Sequence, residues 1–536
     1  MLAWLLGLLG DGFPADAPPR IRLGLPVVGI LRAFASFSAN PVAFIRRSYI
    51  EYGPVFTLPV GFGFNFTFLI GLDAQRAFYS GKDEHLSQNE PYRFMTPIFG
   101  PGVVFDAPQK TKAEQLTFMK NALRTDTLHS YVPLIAREAE IFFDAWGASG
   151  EVDLMQKMAE LTINTASLCL LGRDVRAQFG PSVAKLLHDI DDGITPLAII
   201  HPYLPIEAFR RRDAARAQFG KLFATILAQR RADQKDFPDR PLPQDLLQAF
   251  MTARYRDGSG CSDDQITGLL IGALFAGQHT SSITSTWLAL RVAADKRIYE
   301  RVMSEQQHCV NEVGGGNFAD VSQPTSGLNF ASVQAMGLLH MCMKEAIRMA
   351  PPLIMLMRKV LPCEDEEGKP LPLRVGKYVV PAGHFVFTSP AVSMNLPYDG
   401  QNGTFTEPER FDPDRFAEGR DEAAKPYSYS AFGGGLHACL GEQFGFLQVK
   451  TIVSILLRKF ELELVGDMPQ PNYKAMVVGP TGPLRVRFKR REAPHCVTVP
   501  FEPFRLPSSA RSAGAGAGAG GGAKAAAPKG APAAAT

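Results

Sequence analysis

Phe432-Gly433-Gly434-Gly435-Leu436-His437-Ala438-Cys439-Leu440-Gly441 is the stretch that decides how the chain reads. A cysteine sits in a glycine-rich loop, and a helical pattern follows at once. The glycines let backbone come close to a flat, bulky group and supply φ > 0 where the turn needs it. The loop and the first turn of the next helix aim N–H groups at the sulfur, which favours a thiolate. Phe432 and Leu440 can shield that sulfur from water. Such a cysteine is poised to hold a metal. The plain alternative is an inert buried cysteine in a glycine turn, and the number of positions constrained together weighs against it.

Upstream, Lys344-Glu345-Ala346-Ile347-Arg348 runs into Pro351-Pro352 about ninety residues before the cysteine. Glu345 and Arg348 are three apart, so on a helix they share a face and can pair. Farther back, Cys261-Ser262-Asp263-Asp264-Gln265 opens a long apolar helical run, and Ser262 with Gln265 reads as a capping box. In its middle stands Ala276-Gly277-Gln278-His279-Thr280. Gly277 costs a helix interior about 1 kcal/mol relative to alanine. That cost is tolerated where something must approach the backbone closely. His279 titrates near neutrality and can relay protons; taken alone, a core histidine bonded to a neighbouring turn is the commoner reading. The segment from Tyr92 to Asp106 carries Phe94, Met95, Phe99 and Phe105. On residues alone, such a stripe is more often ordinary core than ligand wall.

The loop pattern Phe-x-x-Gly-x-His/Arg-x-Cys-x-Gly resembles the haem-ligand loop of the cytochrome P450 superfamily. The resemblance implies a mainly α fold with a smaller β part, the cytochrome P450 fold. It also implies haem b held by the Cys439 thiolate, which favours O–O cleavage. Phe411-Asp412-Pro413-Asp414-Arg415-Phe416 looks like the family's Pro-x-Arg-Phe segment, whose arginine completes a buried network with Glu345 and Arg348. Arg415 takes that role; Arg410 is the other register. The network is structural, since a buried charge is expensive unless paired.

The pair His279-Thr280 resembles the sterol 14α-demethylase family, and so does the Tyr92–Asp106 segment. This implies proton handling by His279 and Thr280. It implies a sterol pocket built from Phe94, Met95, Phe99, Phe105, Ala276, Leu356, Met357, Met476 and Val477. Tyr92, Arg358 and His437 would anchor the haem propionates. The family's basic residue on the next helix falls at Ala113 in our register, so Lys112 or Lys110 takes its place. A bulky Phe105 leans toward C4-monomethyl sterols. The implied reaction is removal of a sterol 14α-methyl group by three monooxygenations, through alcohol and aldehyde to formate. Two rival readings are a monooxygenase acting on another hydrophobic lipid, such as a fatty acid or terpenoid, and a haem protein that binds without turnover.

The resemblance spans roughly Pro18 to Arg490, and no linker interrupts the chain between Pro26 and Arg490. We therefore expect three parts. Residues 1–26 are a short apolar N-terminus and proline hinge. Residues 27–491 are one catalytic domain, with a sheet-rich part near its N-terminus. Residues 492–536 are an Ala/Gly/Pro-rich extension, disordered from about 508 because it cannot build a core. The net charge of +3 is too small to argue for nucleic acid. Seven cysteines, without a Cys-x-x-Cys pair, argue for a reducing compartment and against a fused iron–sulfur domain. No flavin or nicotinamide fingerprint is present, so electrons come from a separate ferredoxin or flavoprotein reductase; the other partners are the sterol and molecular oxygen. The apolar start, Met1 to Leu9, is about half a spanning length and can at most dip into a membrane interface. The expected location is cytoplasmic, or peripheral on the cytosolic face of a membrane; the chain is not secreted.

Overall fold

Pro26–Ala39 (α1) and Pro41–Tyr52 (α2) open the described fold, and the reason the second begins where it does is local. The Asn40 side chain accepts the Ala43 N–H at 2.9 Å, and proline occupies the first turn, where its missing N–H costs nothing. The computed structural model describes residues 16–24, 26–61, 64–365, 367–492 and 499–504. The apolar start and most of the Ala/Gly-rich extension lie outside them.

Val55–Gly61 (β1) and Phe64–Leu69 (β2) follow, then Leu72–Ser80 (α3) and the short strand Leu86–Ser87 (β3). Next come Gln109–Ala122 (α4), Thr125–Asp144 (α5), Ser149–Asp153 (β4), Leu154–Ala166 (α6), Pro181–Asp192 (α7) and Glu207–Asp236 (α8). Asp263–Ala294 (α9) and Lys296–His308 (α10) lead to Gly337–Met349 (α11). Leu356–Val360 (β5), Phe385–Thr388 (β6), Glu442–Lys459 (α12), Phe460–Leu464 (β7) and Arg485–Arg490 (β8) complete the frame.

Helix α9 is the axis of the molecule. Its capping box is closed in both directions: Ser262 Oγ accepts the Gln265 N–H at 3.2 Å, and Gln265 Oε1 accepts the Ser262 N–H at 3.0 Å. Asp263 and Asp264 sit in the first turn and Arg291 in the last, each favoured by the helix dipole. The helix is apolar nearly all round and therefore buried, packed between α6, α11 and α12.

The main sheet has strand order β1-β2-β6-β5-β3. Strands β1 and β2 are antiparallel, β2 and β6 parallel with Thr67 opposite Val386, and β5 antiparallel to both β6 and β3. A sheet near the N-terminus was the expectation, but two of its five strands come from residues 356–388. Strand β6 lies between β2 and β5 and pairs with both. A second sheet, β4-β8-β7, holds the far end of the domain. The proline-rich lead-in clips onto β1, with the Ile21 N–H on Thr57 O at 2.9 Å and the Thr57 N–H on Pro19 O at 2.8 Å. After the domain, Phe501 stacks on His308 of α10 at 4.0 Å. Six cysteines are free among the described residues.

Candidate active site

Between the middle of α9 and the cysteine loop lies a cavity of about 290 Å³. Thr280, Ser281 and Thr284 form one wall, and Phe432, Gly433 and Cys439 face it. The loop is shaped by backbone contact. Gly433 and Gly435 both have positive φ, +72° and +63°. A Cβ on Gly435 would stand 1.9 Å from Tyr79 O, so only glycine lets the loop press on the end of α3. The Cys439 N–H donates to Phe432 O at 2.8 Å and closes the turn.

Cys439 is exposed, but to this cavity. Enclosure by protein pushes its thiol up; the Gly441 N–H, donating to the sulfur, lowers it, and the Glu442 carboxylate adds to the rise. A cation on the sulfur acts in the same direction as that N–H and favours the thiolate. Leu440 stays 37% exposed, and Phe432, on the cavity wall beside Cys439, packs on Phe446 at 5.2 Å.

Cations gather at one edge. Arg358, buried on β5, donates from Nη1 to Phe78 O at 2.7 Å and to Gly81 O at 3.2 Å, while its Nε has no partner among the described residues. His437 is bonded through Nε2 to Asp83, which follows α3. Burial pushes the Asp83 carboxyl up, but the His437 bond and charge, with Lys112 and Arg358 farther off, more than offset it and hold it below its ordinary value. Lys112 is only 2% exposed, and its Nζ donates to Gln88 Oε1 at 3.0 Å, with Gln88 itself on the cavity wall. Burial lowers the Lys112 ammonium, and Asp83 works against that. Tyr92 accepts the Met357 N–H at 3.2 Å, so its hydroxyl is held at the start of β5. A flat apolar group with two carboxylates fits this edge: two buried cations, Arg358 with its orphaned Nε and Lys112, the His437 imidazole, and an apolar interior facing a sulfur.

On α9, Thr280 Oγ1 donates to Ala276 O at 2.6 Å. His279 is turned away toward α7, with its Nε2 3.9 Å from Asp191 Oδ1 and no hydrogen-bond partner among the described residues. Burial lowers the His279 imidazole, and the Asp191 charge raises it. Gly277 does not do what was expected of it. A Cβ there would meet Leu170, Ala166 and Phe444 at 3.5–3.9 Å, ordinary contacts with protein rather than with the cavity. The tight glycine on this helix is Gly268, where a Cβ would stand 1.7 Å from Phe99 O.

Of the sequence-predicted site residues, Thr280, Leu356, Arg358, His437 and Cys439 line the cavity together. Lys112 stands one hydrogen bond behind it through Gln88, and Tyr92 holds the N–H of Met357, next in the chain to the wall residue Leu356. Phe94, Met95 and Phe99 are buried in the main core, with Phe105 stacked on Tyr92 at 4.7 Å and 5.5 Å from Lys112 Nζ. Met476 and Val477 pack half-buried on the same core, and Ala276 is exposed. None of these is on the cavity wall. Glu345 accepts Arg348 Nε at 2.7 Å and Arg415 Nε at 2.9 Å, all three fully buried; Arg410 is exposed and pairs with Glu407. Sequence reasoning missed Asp83, Gln88, Asp191, Ser281 and Thr284. Thr284 carries a weak signal, four residues on from Thr280 and so on its face of α9, and Ser281 adjoins it in the chain; the others come from distant segments and carry none.

The cytochrome P450 family model matches residues 18–488. An obtusifoliol 14-alpha demethylase of Triticum aestivum is 43% identical over 89% of this chain and 99% of that relative. A sterol 14-demethylase of Arabidopsis thaliana is 42% identical over 89% and 92%, and a lanosterol 14-alpha demethylase of Mus musculus 35% identical over 89% and 88%. Among solved structures, a retinoic acid-bound cyanobacterial CYP120A1 superposes with a TM-score of 0.71 at 21% identity, over 89% of this chain and all of that one, which speaks to the fold.

Proposed function

Because the chain belongs to the cytochrome P450 family, in its sterol 14-demethylase branch, we propose that it removes the 14α-methyl group of a sterol precursor as a haem-thiolate monooxygenase. The single observation that carries this reading is Cys439 facing Thr280 across an apolar cavity with Arg358, His437 and Lys112 at one edge. When bound, haem supplies the activation of molecular oxygen.

This chain's own residues do the rest. Arg358, His437 and Lys112 hold the two propionates, with Tyr92 fixing the start of β5 beside them. Asp83 keeps the His437 ring oriented, and Gln88 keeps the Lys112 ammonium at the edge. The sulfur of Cys439 would hold the haem iron. Thr280 presents its Oγ1 proton to the cavity by rotating away from Ala276 O, and a proton passed along α9 replaces the one it donates. His279, facing the half-exposed Asp191, brings that proton from the surface. The aromatic segment from Tyr92 to Phe105, with Leu356, Met357, Ala276, Met476 and Val477, orients the sterol so that the methyl meets the reacting centre. Each of three rounds takes one O2, two electrons and two protons. The first carries methyl to alcohol with one water released, and the second carries alcohol to aldehyde with two. The third breaks the bond between C14 and the aldehyde carbon, releasing formic acid and one water and leaving a 14,15 double bond in the sterol. The electrons come from a separate donor protein. No helix among the described residues is long and apolar enough to cross a membrane. We assign the catalytic domain to residues 27–491.

The test is reconstitution with a surrogate reductase and a 14α-methyl sterol. Formate release in step with sterol loss is expected, together with a carbon monoxide difference spectrum of the thiolate type. Turnover of fatty acids with no sterol product would move the assignment to a general lipid monooxygenase, and a thiolate spectrum with no turnover of either would leave a haem-binding protein.

A further inference from the structure

A second cavity of about 550 Å³ lies behind the catalytic one. The segment after α11 lies between them, with Pro352 and Leu353 on the first and Pro351 and Ile354 on the second, as does Pro390, on the first, next to Ala391 on the second. Its walls are apolar at Val42, Ile354, Val392 and Val478. Its charged groups are few. Arg46 pairs with Glu409 at 3.6 Å on the rim, which leaves Arg291. This arginine sits in the last turn of α9, half-buried, with its guanidinium 5.9 Å from the centre of the Trp287 ring. Among the described residues it has no hydrogen bond and no ion pair. The carboxylate whose charge reaches it, Glu345, is already held by Arg348 and Arg415. The cavity also takes in Tyr473.

A half-buried cation that no carboxylate among the described residues answers, set beside an apolar hollow, is an incomplete ion pair. Its guanidinium is free to take an anion from outside, and an apolar chain on that anion gains by leaving water for the hollow. The bland alternative is a helix-end cation that the dipole alone keeps, but that does not account for the apolar hollow beside it. The hollow falls in the range of small-molecule sites. We propose that this second cavity binds a monocarboxylate with an apolar chain, its carboxylate on the Arg291 guanidinium and its chain along Val42, Ile354, Val392 and Val478. The site lies outside the catalytic cavity, and its occupant rests on the Pro351–Ile354 segment that the two share.

Isothermal titration of the haem-loaded full-length protein with decanoate tests this, with decylamine as the matched cation and the haem absorbance followed in parallel. The expected result is one saturable site for decanoate, none for decylamine, and an unchanged haem spectrum. Arg291→Gln should weaken decanoate by about tenfold or more, the scale of a charge-assisted hydrogen bond, and Arg291→Lys should keep part of it. The proposal falls if decanoate does not saturate, if decylamine binds equally, if the haem spectrum shifts along the binding isotherm, or if Arg291→Gln binds as the parent does. Should Arg291→Gln not fold, the decanoate–decylamine comparison on the parent decides alone.

Discussion

Replacing Glu345 by glutamine should be among the most damaging single changes outside the cavity, although the shape of the side chain is kept. The carboxylate is fully buried and takes four hydrogen bonds: Arg348 Nε at 2.7 Å and Nη2 at 3.0 Å, Arg415 Nε at 2.9 Å, and the Asp412 N–H at 3.1 Å. Arg348 goes on to Met394 O, Asn395 Oδ1 and Pro408 O, and Arg415 to Thr406 O and Glu422 Oε2. One carboxylate thus ties α11 to the whole 394–422 segment that leads into the cysteine loop. With glutamine, two buried guanidiniums keep a single carboxylate, Glu422, between them, and an NH2 is set against donors. Breaking a buried pair in this way costs about 3–5 kcal/mol. Arg410→Ala is the matched control, exposed and worth under about 0.5 kcal/mol. Urea unfolding of the haem-loaded proteins gives both values from the midpoint shift at constant slope. A Glu345→Gln protein within about 1 kcal/mol of the parent, or an Arg410→Ala protein as damaged as it, would refute the reasoning.

Three further outcomes follow from the geometry. Gly435→Ala, forced to keep φ +63° with its Cβ 1.9 Å from Tyr79 O, should lose about 1–3 kcal/mol and retain less haem, while Gly441→Ala, whose Cβ would meet only the Cys439 sulfur at 4.0 Å, should not; thermal midpoint and haem content read both. Asp191→Asn removes the charge that raises the His279 imidazole, so sterol turnover should fall above the pKa of that ring, with the deficit vanishing on acidification; a deficit that is flat with pH contradicts the relay. Burial raises the Glu305 carboxyl from 4.5 to about 7, despite the Leu338 and Leu339 N–H groups it accepts. The folded state then holds a proton that the unfolded chain has released, so this group's stabilisation is complete below about 4.5 and is lost as pH rises toward 7, by at most about 1.4 kcal/mol per pH unit. Glu305→Gln should flatten the stability profile in that window, and an unchanged slope counts against it.

Local rules were legible in the sequence wherever a few neighbouring residues carry the physics. The Ser262–Gln265 capping box is one case, and the Glu345–Arg348 pair at helical spacing is another. The same holds for the glycines before Cys439, although Gly435 acts by touching Tyr79 O, a contact no spacing announces. Gly277 marks the limit of this reasoning. Its cost to the helix is readable, but whether the missing side chain makes room for a ligand or for Leu170 depends on how α9 is rotated against its neighbours. The cavity edge was half legible. Arg358 and His437 belong to motifs, whereas Asp83 is 354 residues from the His437 it holds, and such long-range pairing leaves no periodic trace. The aromatic stripe shows the same ambiguity from the other side: Phe94, Met95 and Phe99 are buried in the core, and burial alone does not separate a ligand wall from packing.

The central claim is that Cys439 and Thr280 frame a haem whose open face takes a 14α-methyl sterol. Optical titration of the ferric, haem-loaded protein tests it most directly. A saturable low-to-high-spin shift with 14α-methyl sterols is expected, and none with fatty acids. A protein that shows the thiolate spectrum with carbon monoxide, yet gives no shift with any sterol, would contradict it.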